Sequence, residues 1–523
     1  MANETPPPDQ TRRERRGGRA GRAERQEQSG PAQKPFRQPK RQFPPVNIVS
    51  ADELEAIHNA SLTVLEEIGM DILDADARAI FKQAGADIRA NEHRVRLPRD
   101  LVLSTIKTAP STFTLHARNP AHNLIFGGDH VIFAQVASTP NASDHDNGRR
   151  PGNWRDFENL VKLAQSYNII HMTGGYPVEP TDVHASVRHL DCLSTIAKLT
   201  DKAFHAYSLG RHRNQDAIEI ARIARGVSAA RMCDEPSLIS VINSSSPLRL
   251  DAPMAQGILE MSAQGQVIIM TPFTLAGAMA PVTIAGALAQ QNAEALAGLT
   301  LTQLVRPGAP VVYGGFTSNV DMKSGAPAFG TPEYMKAAMI GGQLARRYDI
   351  PYRTSNACAA NTVDAQSAWE SVFSLWGAVM GGGNFILHAA GWMEGGLTAS
   401  FEKTIVDVDL LQMIAEFLDP LEVTPATLAL DAMRDVGPGG HYFGTAHTQA
   451  RYTNAFYAPI LSDWRNFESW REAGSPTAAS KANQVWKDTL ARYQPPAMDA
   501  GVAEELDAFV ARRKAEGGVK TDF

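Results

Sequence analysis

Tyr352-Arg-Thr-Ser-Asn356 and Phe385-Ile-Leu-His-Ala-Ala390 are two short apolar runs, each closed by small or polar residues and separated by a helical segment. Six earlier runs share this form: His130-Val-Ile-Phe-Ala-Gln135, Ile169-Ile-His-Met-Thr-Gly174, Ala203-Phe-His-Ala-Tyr-Ser208, Leu238-Ile-Ser-Val-Ile-Asn243, Val267-Ile-Ile-Met-Thr271 and Pro310-Val-Val-Tyr-Gly-Gly315. Their starts fall roughly 30 to 45 residues apart, the length of a strand plus a crossover helix. Runs this continuous in hydrophobicity belong to strands buried on both faces, as parallel strands are. Eight of them predict an α/β chain whose residues 126–420 form a (β/α)8 TIM barrel. Helix starts between the runs carry capping residues at Asn153, Thr181, Asp251, Thr331 with Pro332 behind it, and Asp364. The competing doubly wound sheet expects a GxGxxG or P-loop after an early strand, and neither occurs. Gly381-Gly-Gly383 precedes a strand and reads as a helix stop.

Outward from the barrel, residues 46–125 read as a helical N-terminal layer. Ser50-Ala-Asp-Glu53 is a capping box, Leu54, Ile57, Leu62, Leu65 and Ile68 supply an apolar stripe, and a second helix is expected from Arg99 to Lys107. Residues 421–523 read as an α-rich C-terminal extension. In it Gly437-Pro-Gly-Gly-His441, Tyr442 and His447 are candidates to fold over the barrel mouth, with plain packing as the alternative. The last stretch, with Trp486, Leu490 and Tyr493, reads as an arm that packs against another subunit of a homo-oligomer.

The first 45 residues hold 11 Lys+Arg against 5 Asp+Glu, and the remainder 39 against 51. The body is acidic, which argues against nucleic acid as a partner. Residues 1–45 have almost no apolar side chains and read as a disordered basic tail; an RGG-like arm and a transit peptide are weaker readings of it. Apolar residues at 43% and charged residues at 20% are globular values, so collagen, coiled coil and wholesale disorder are excluded. The charge-free stretch between Glu260 and Glu294 is broken by Pro272 and Pro281, so it reads as a buried strand and helix, with no membrane span. Three scattered cysteines, Cys192, Cys233 and Cys358, form neither a disulfide framework nor a metal knuckle and point to a cytoplasmic location.

A barrel places its active site at the C-terminal ends of its strands. Here those ends lack HExxH, GxSxG and any compact His/Asp metal cluster, and no metal is expected. They carry Gly, Ser, Thr, Asn and aromatic residues: Tyr207, Asn243, Thr271, Phe273, Phe316, Asn356 and Trp392 among them. Such a lining suits a small organic cation. Arg353 and His388 stand on adjacent strands, where they would clamp one carboxylate; the alternative pairs Arg353 with a helix acid at the rim and leaves His388 in the core. No residue is assigned as a catalytic acid or base.

Four stretches then carry a resemblance: SNVDMKSGAPAFGTPEY (318–334), SNACAANTVDAQSAWES (355–371), HAAGWMEGGL (388–397) and GPGGHYFGTAHT (437–448). From residue 48 onward the chain resembles the trimethylamine methyltransferase family. The resemblance implies a (β/α)8 fold and transfer of a methyl group from an amine nitrogen to the Co(I) of a separate corrinoid protein, with no cofactor tightly bound to this chain. Trimethylamine-specific members carry pyrrolysine, which is not written here. Members without it resemble glycine betaine methyltransferase, and Arg353 and His388 look like the carboxylate-binding pair of that branch. A quaternary amine bearing a carboxylate is therefore the expected substrate. Its leaving group departs neutral, so the site need only position it and exclude water, with Tyr207, Phe273, Phe316 and Trp392 as a cation cage or as ordinary packing. Trimethylamine as substrate, a non-catalytic betaine-binding barrel, and transfer to a folate or thiol remain as alternatives.

Overall fold

A computed structural model describes residues 33–520. Seven parallel strands, Ile132–Gln135, Phe204–His205, Leu238–Ile242, Val267–Met270, Val311–Gly314, Tyr352–Ser355 and Phe385–Ala390, form one sheet. From Phe204–His205 onward each pairs with the next one named, and the last returns to pair with the first, Ile132–Gln135. The eighth position is filled by the run expected there, although it is not a regular strand. Met172 bridges Ala134 on one side and Ala203 on the other, both in parallel sense. Ladder bonds run from His171 N–H to Phe133 O and from Thr173 N–H to Ala203 O, while the Phe133 N–H is taken by the His171 imidazole at 2.8 Å. A side chain thus replaces a backbone acceptor, and the barrel closes with a shortened second stave.

The interior is packed. Ile132, Ala134, Met172, Ile239, Ile269 and Val312 are among the residues of one buried cluster inside the barrel, and the hairpin Phe113–Leu115/Leu124–Phe126 caps it at the strand N-terminal end. Side chains of Asn153, Asp251, Thr331 and Asp364 accept backbone N–H groups and start the helices Trp154–Ser166, Ala252–Ala263, Pro332–Tyr348 and Ala365–Met380. Thr181 starts none. Its N–H and hydroxyl both donate to Gly152 O, and the helix Ala185–Leu199 begins later, with His184 as the cap.

In the N-terminal layer the Ser50/Glu53 capping box opens Ala51–Thr63, and Arg99–Ile106 follows Pro98. Ile68 is 49% exposed and does not join the stripe of Ile57, Leu62 and Leu65. The cause is a π-turn over Val64–Ile68, which shifts the helical phase. The layer is not purely helical, since Met70–Ile72 pairs with Arg94–Val95 and Arg249–Leu250. It covers the outside of Ile284–Val305, which explains why that helix is buried on nearly every face, polar residues such as Asn292 and Glu294 included. Among the described residues no helix is long and apolar enough to cross a membrane.

Residues 33–45, expected within a disordered tail, lie along the strand N-terminal end of the barrel. Phe36 packs on His122 with ring centroids 4.3 Å apart, Pro39 O accepts Val131 N–H, and Arg37 grips Asp419 with both terminal nitrogens at 2.5 Å. Phe43 meets Phe417 with ring centroids 5.9 Å apart, and these two aromatic anchors on Pro-rich, already extended backbone suffice to order the segment. Residues 1–32 lie outside the described residues. At the other end, Ala478–Arg492 packs along Phe401–Leu418, and Ala500–Ala515 lies on Ala185–Leu199 and Arg211–Arg225. Trp486 Nε1 donates to Glu402 and the Tyr493 hydroxyl donates to Leu199 O, so these residues serve their own chain.

Candidate functional site

The strands end in a cavity of about 570 Å³. Its lining grades from buried Arg353 and His388 to exposed Ser138 and Pro140, so it opens to solvent at one rim.

Arg353 is the second residue of Tyr352–Ser355 and is 2% exposed. Its Nη1 donates to Gly315 O at 3.3 Å, its guanidinium lies 5.7 Å from the Phe316 ring centroid, and its Nε has no partner. Among the described residues no carboxylate forms an ion pair with it, so the expectation of a helix acid at the rim is not met. Burial lowers its pKa to about 10, which leaves it charged at neutral pH. A buried cation without a counter-ion costs several kcal/mol, about what a bound anion restores.

On the next strand, His388 holds a left-handed φ of +57°, where the pairing of Phe385–Ala390 with Ile132–Gln135 slips register. A bulge of this kind re-aims a side chain. The Ala137 N–H donates to His388 Nδ1 at 3.2 Å, which leaves Nε2 as the protonated nitrogen of the neutral ring. Burial, with Arg353 and His205 adding repulsion, holds its pKa well below the usual histidine value. His205, by contrast, has both nitrogens engaged, with Gly174 O at 2.6 Å and Val241 N–H at 3.1 Å. Burial lowers it to about 4.

Beyond His388 the chain turns at Gly391, where φ is +99° and an added Cβ would fall 2.6 Å from Thr404 Oγ1. The Gly391 N–H is held by Asp407 at 2.9 Å, and Asp407 is ion-paired with the buried Lys403, which also donates to Ser371. The turn brings the Trp392 ring to 4.0 Å from His388. Trp392 stacks near Phe316 at 5.9 Å, and Phe316 on Phe273 at 5.3 Å. The last pair is enforced by backbone: Phe273–Ala276 and Phe316–Val320 pair in parallel in a second small sheet, where those two residues are register partners.

Of the residues singled out in the sequence, Arg353, His388, Tyr207, Phe273, Phe316 and Trp392 line one cavity. The Tyr207 hydroxyl accepts from Tyr176 N–H and donates to Tyr176 O, so the phenol is anchored. Asn356 does not line it. It is fully buried behind the strands, where its Nδ2 donates to Ala389 O at 3.3 Å. His441, Tyr442 and His447 are also absent from the lining. Sequence reasoning missed Ser138, Met254 and Glu179, the last of which sits in the loop after Gly174-Gly-Tyr176 and is paired with Arg188. The period of the strands marks where a loop begins, not which of its residues turn inward.

One wall is thus cationic and hydrogen-bond donating, another aromatic, and both histidines are neutral. This is a (β/α)8-barrel enzyme with a cavity of small-molecule size at the strand C-termini. The chain belongs to the trimethylamine methyltransferase family, whose model (Trimethylamine methyltransferase, MTTB) matches residues 15–518. It is 36% identical over 477 residues to a glycine betaine methyltransferase of Desulfitobacterium hafniense (strain Y51), covering 91% of this chain and 99% of that one. It is 29% identical over 473 residues to the trimethylamine methyltransferase MttB of Desulfitobacterium hafniense (strain DSM 10664 / DCB-2), covering 90% and 94%. Among solved structures, the monomethylamine methyltransferase MtmB of Methanosarcina barkeri aligns over 87% of this chain and 92% of that one, with a TM-score of 0.48 and 11% identity.

Proposed function

We propose that the protein takes a methyl group from a carboxylate-bearing quaternary amine of the glycine betaine type, for transfer to the cobalt of a separate corrinoid protein. The observation that carries this reading is Arg353: buried, charged and without a counter-ion. Arg353 receives the substrate carboxylate, and His388 donates to it from Nε2. Phe273, Phe316 and Trp392 face the ammonium end with ring surfaces, replacing its water while fixing one methyl toward the open side. The partner's cobalt, as Co(I), supplies the nucleophile. The leaving amine is neutral and needs no proton, which suits a site whose histidines are neutral.

Calorimetry with glycine betaine, carnitine, choline and trimethylamine tests the substrate class, and methylation of Co(I) cobalamin followed by its visible spectrum tests the transfer. The carboxylated cations are expected to bind, with methylcobalt forming only when substrate and this chain are both present. Tighter binding of choline or trimethylamine overturns the carboxylate assignment.

A further inference from the structure

Between Leu418 and Tyr457 the chain makes an excursion from the barrel. It leaves beside Asp419, held by Lys34 and Arg37 at the strand N-terminal end. It returns where Tyr457 bonds Asp409, which also accepts the N–H groups of Ile460 and Leu461 at 3.0 Å each. The segment is locally well specified: Thr424 forms a capping box for Pro425–Leu428, and Thr445 caps Ala446–Gln449. Its large apolar side chains nonetheless face outward. Leu421 is 89% exposed, Phe443 82% and Phe456 90%, with Val423, Leu430 and Tyr452 all more than half exposed.

A second apolar surface lies on the barrel exterior. Trp369, Val372 and Phe373 are exposed on Ala365–Met380, and Trp376 continues their stripe at helical spacing. Trp376 meets Phe417 with ring centroids 4.9 Å apart, and Phe417 and Met413 extend the surface along Phe401–Leu418. An outer barrel helix ordinarily turns polar residues to water.

We propose that these two surfaces are the halves of one interface, with segment 421–456 of one copy lying on the Trp369–Phe417 surface of a second copy, and the reverse. Each chain carries both an apolar segment and an apolar receiver, so one two-fold axis covers all four surfaces. The exposed side chains of the segment offer on the order of 1,000 Å², above the ~800 Å² that each partner contributes to a standard stable interface. Charge is sparse, with Glu422, Asp431, Arg434, Asp435 and Arg451 the only charged residues in 421–456. That depletion marks the core of a permanent contact, whereas a partner that visits and leaves meets a more polar surface.

Sedimentation velocity of the full chain at micromolar concentration tests this, and the expected mass is an even multiple of 56.6 kDa. The pairs Trp369→Glu with Phe373→Glu, and Phe443→Asp with Phe456→Asp, are each expected to give a 56.6 kDa monomer with an unchanged far-ultraviolet spectrum. A photo-crosslinking residue at Phe456, in a mixture of ordinary and 15N-labelled copies, is expected to give mixed-label adducts on helix Ala365–Met380. A monomeric or odd-numbered wild type, variants that keep the wild-type mass, or adducts confined to a single label each overturn the proposal.

Discussion

The backbone N–H of Ala137 donates to Nδ1 of His388 at 3.2 Å, so a ring that burial keeps neutral turns a protonated Nε2 into the cavity. With its pKa held well below the usual value, His388 does not gain a proton over ordinary pH. Betaine affinity is accordingly expected to stay flat between about pH 6 and 8, and His388→Ala to lower it by about 1 kcal/mol, the worth of one neutral hydrogen bond. Calorimetry across that range checks both. A several-fold rise in affinity on acidification would mean that the imidazolium is the binding form.

Removing Arg353 separates binding from stability. Arg353→Met is expected to weaken betaine binding by about 2 to 4 kcal/mol, roughly 30-fold or more, because a charge-assisted contact is lost. Arg353→Lys recovers only part, since an ammonium lacks the planar fork. The thermal midpoint of Arg353→Met should hold or rise, because an uncompensated buried charge has been replaced by an apolar side chain. A large drop in midpoint with unchanged KM would make Arg353 a structural residue.

Acid should begin to destabilise the fold above the range in which ordinary carboxylates titrate. Burial lowers His171 to about 3 and His205 to about 4, and His388 lies well below its ordinary value of 6.5. Between about pH 6.5 and 4 the unfolded chain therefore binds more protons than the folded one, and stability present above pH 6.5 is lost as pH falls. Each group contributes up to about 1.4 kcal/mol per pH unit. Urea midpoints measured at intervals over this window should decline steadily. His58, which burial also lowers to about 4, adds to the same decline, and a flat profile would show these buried rings to be accessible to protons in the folded protein.

The Lys403–Asp407 pair is fully buried and fastens Gly391, which lies between His388 and Trp392. Asp407→Ala leaves an uncompensated ammonium and is expected to cost about 3 to 5 kcal/mol, while Asp407→Ala with Lys403→Met recovers much of that loss. Betaine affinity of the double variant should remain below wild type, since the Gly391 N–H has lost its acceptor. Denaturant titration and calorimetry on the same samples distinguish the two effects.

How much of this was legible in sequence follows from which quantities are local. The βα repeat, the caps at Asn153, Asp251, Thr331 and Asp364, and the position of Arg353 and His388 on adjacent strands are set within a few residues of chain, so they could be read in order. Thr181 shows the limit, since its cap-like identity is absorbed by Gly152, outside any helix. The register slip that turns His388 inward depends on the first strand, and the stacking of Phe273 on Phe316 depends on a small sheet above the barrel. Neither has a periodic signature. The solitude of Arg353 is a property of every element around it, as is the withdrawal of Asn356 behind the strands. Composition likewise averaged over Phe36 and Phe43, which fix residues 33–45, and spread the apolar side chains of 421–456 into an ordinary background. The sequence by itself determined the order of barrel units and the residue types at their ends, because backbone hydrogen bonding and strand burial impose a local period. Tertiary structure decided which side chains share the cavity and which buried charges lack partners, because burial and pairing depend on neighbours distant in the chain.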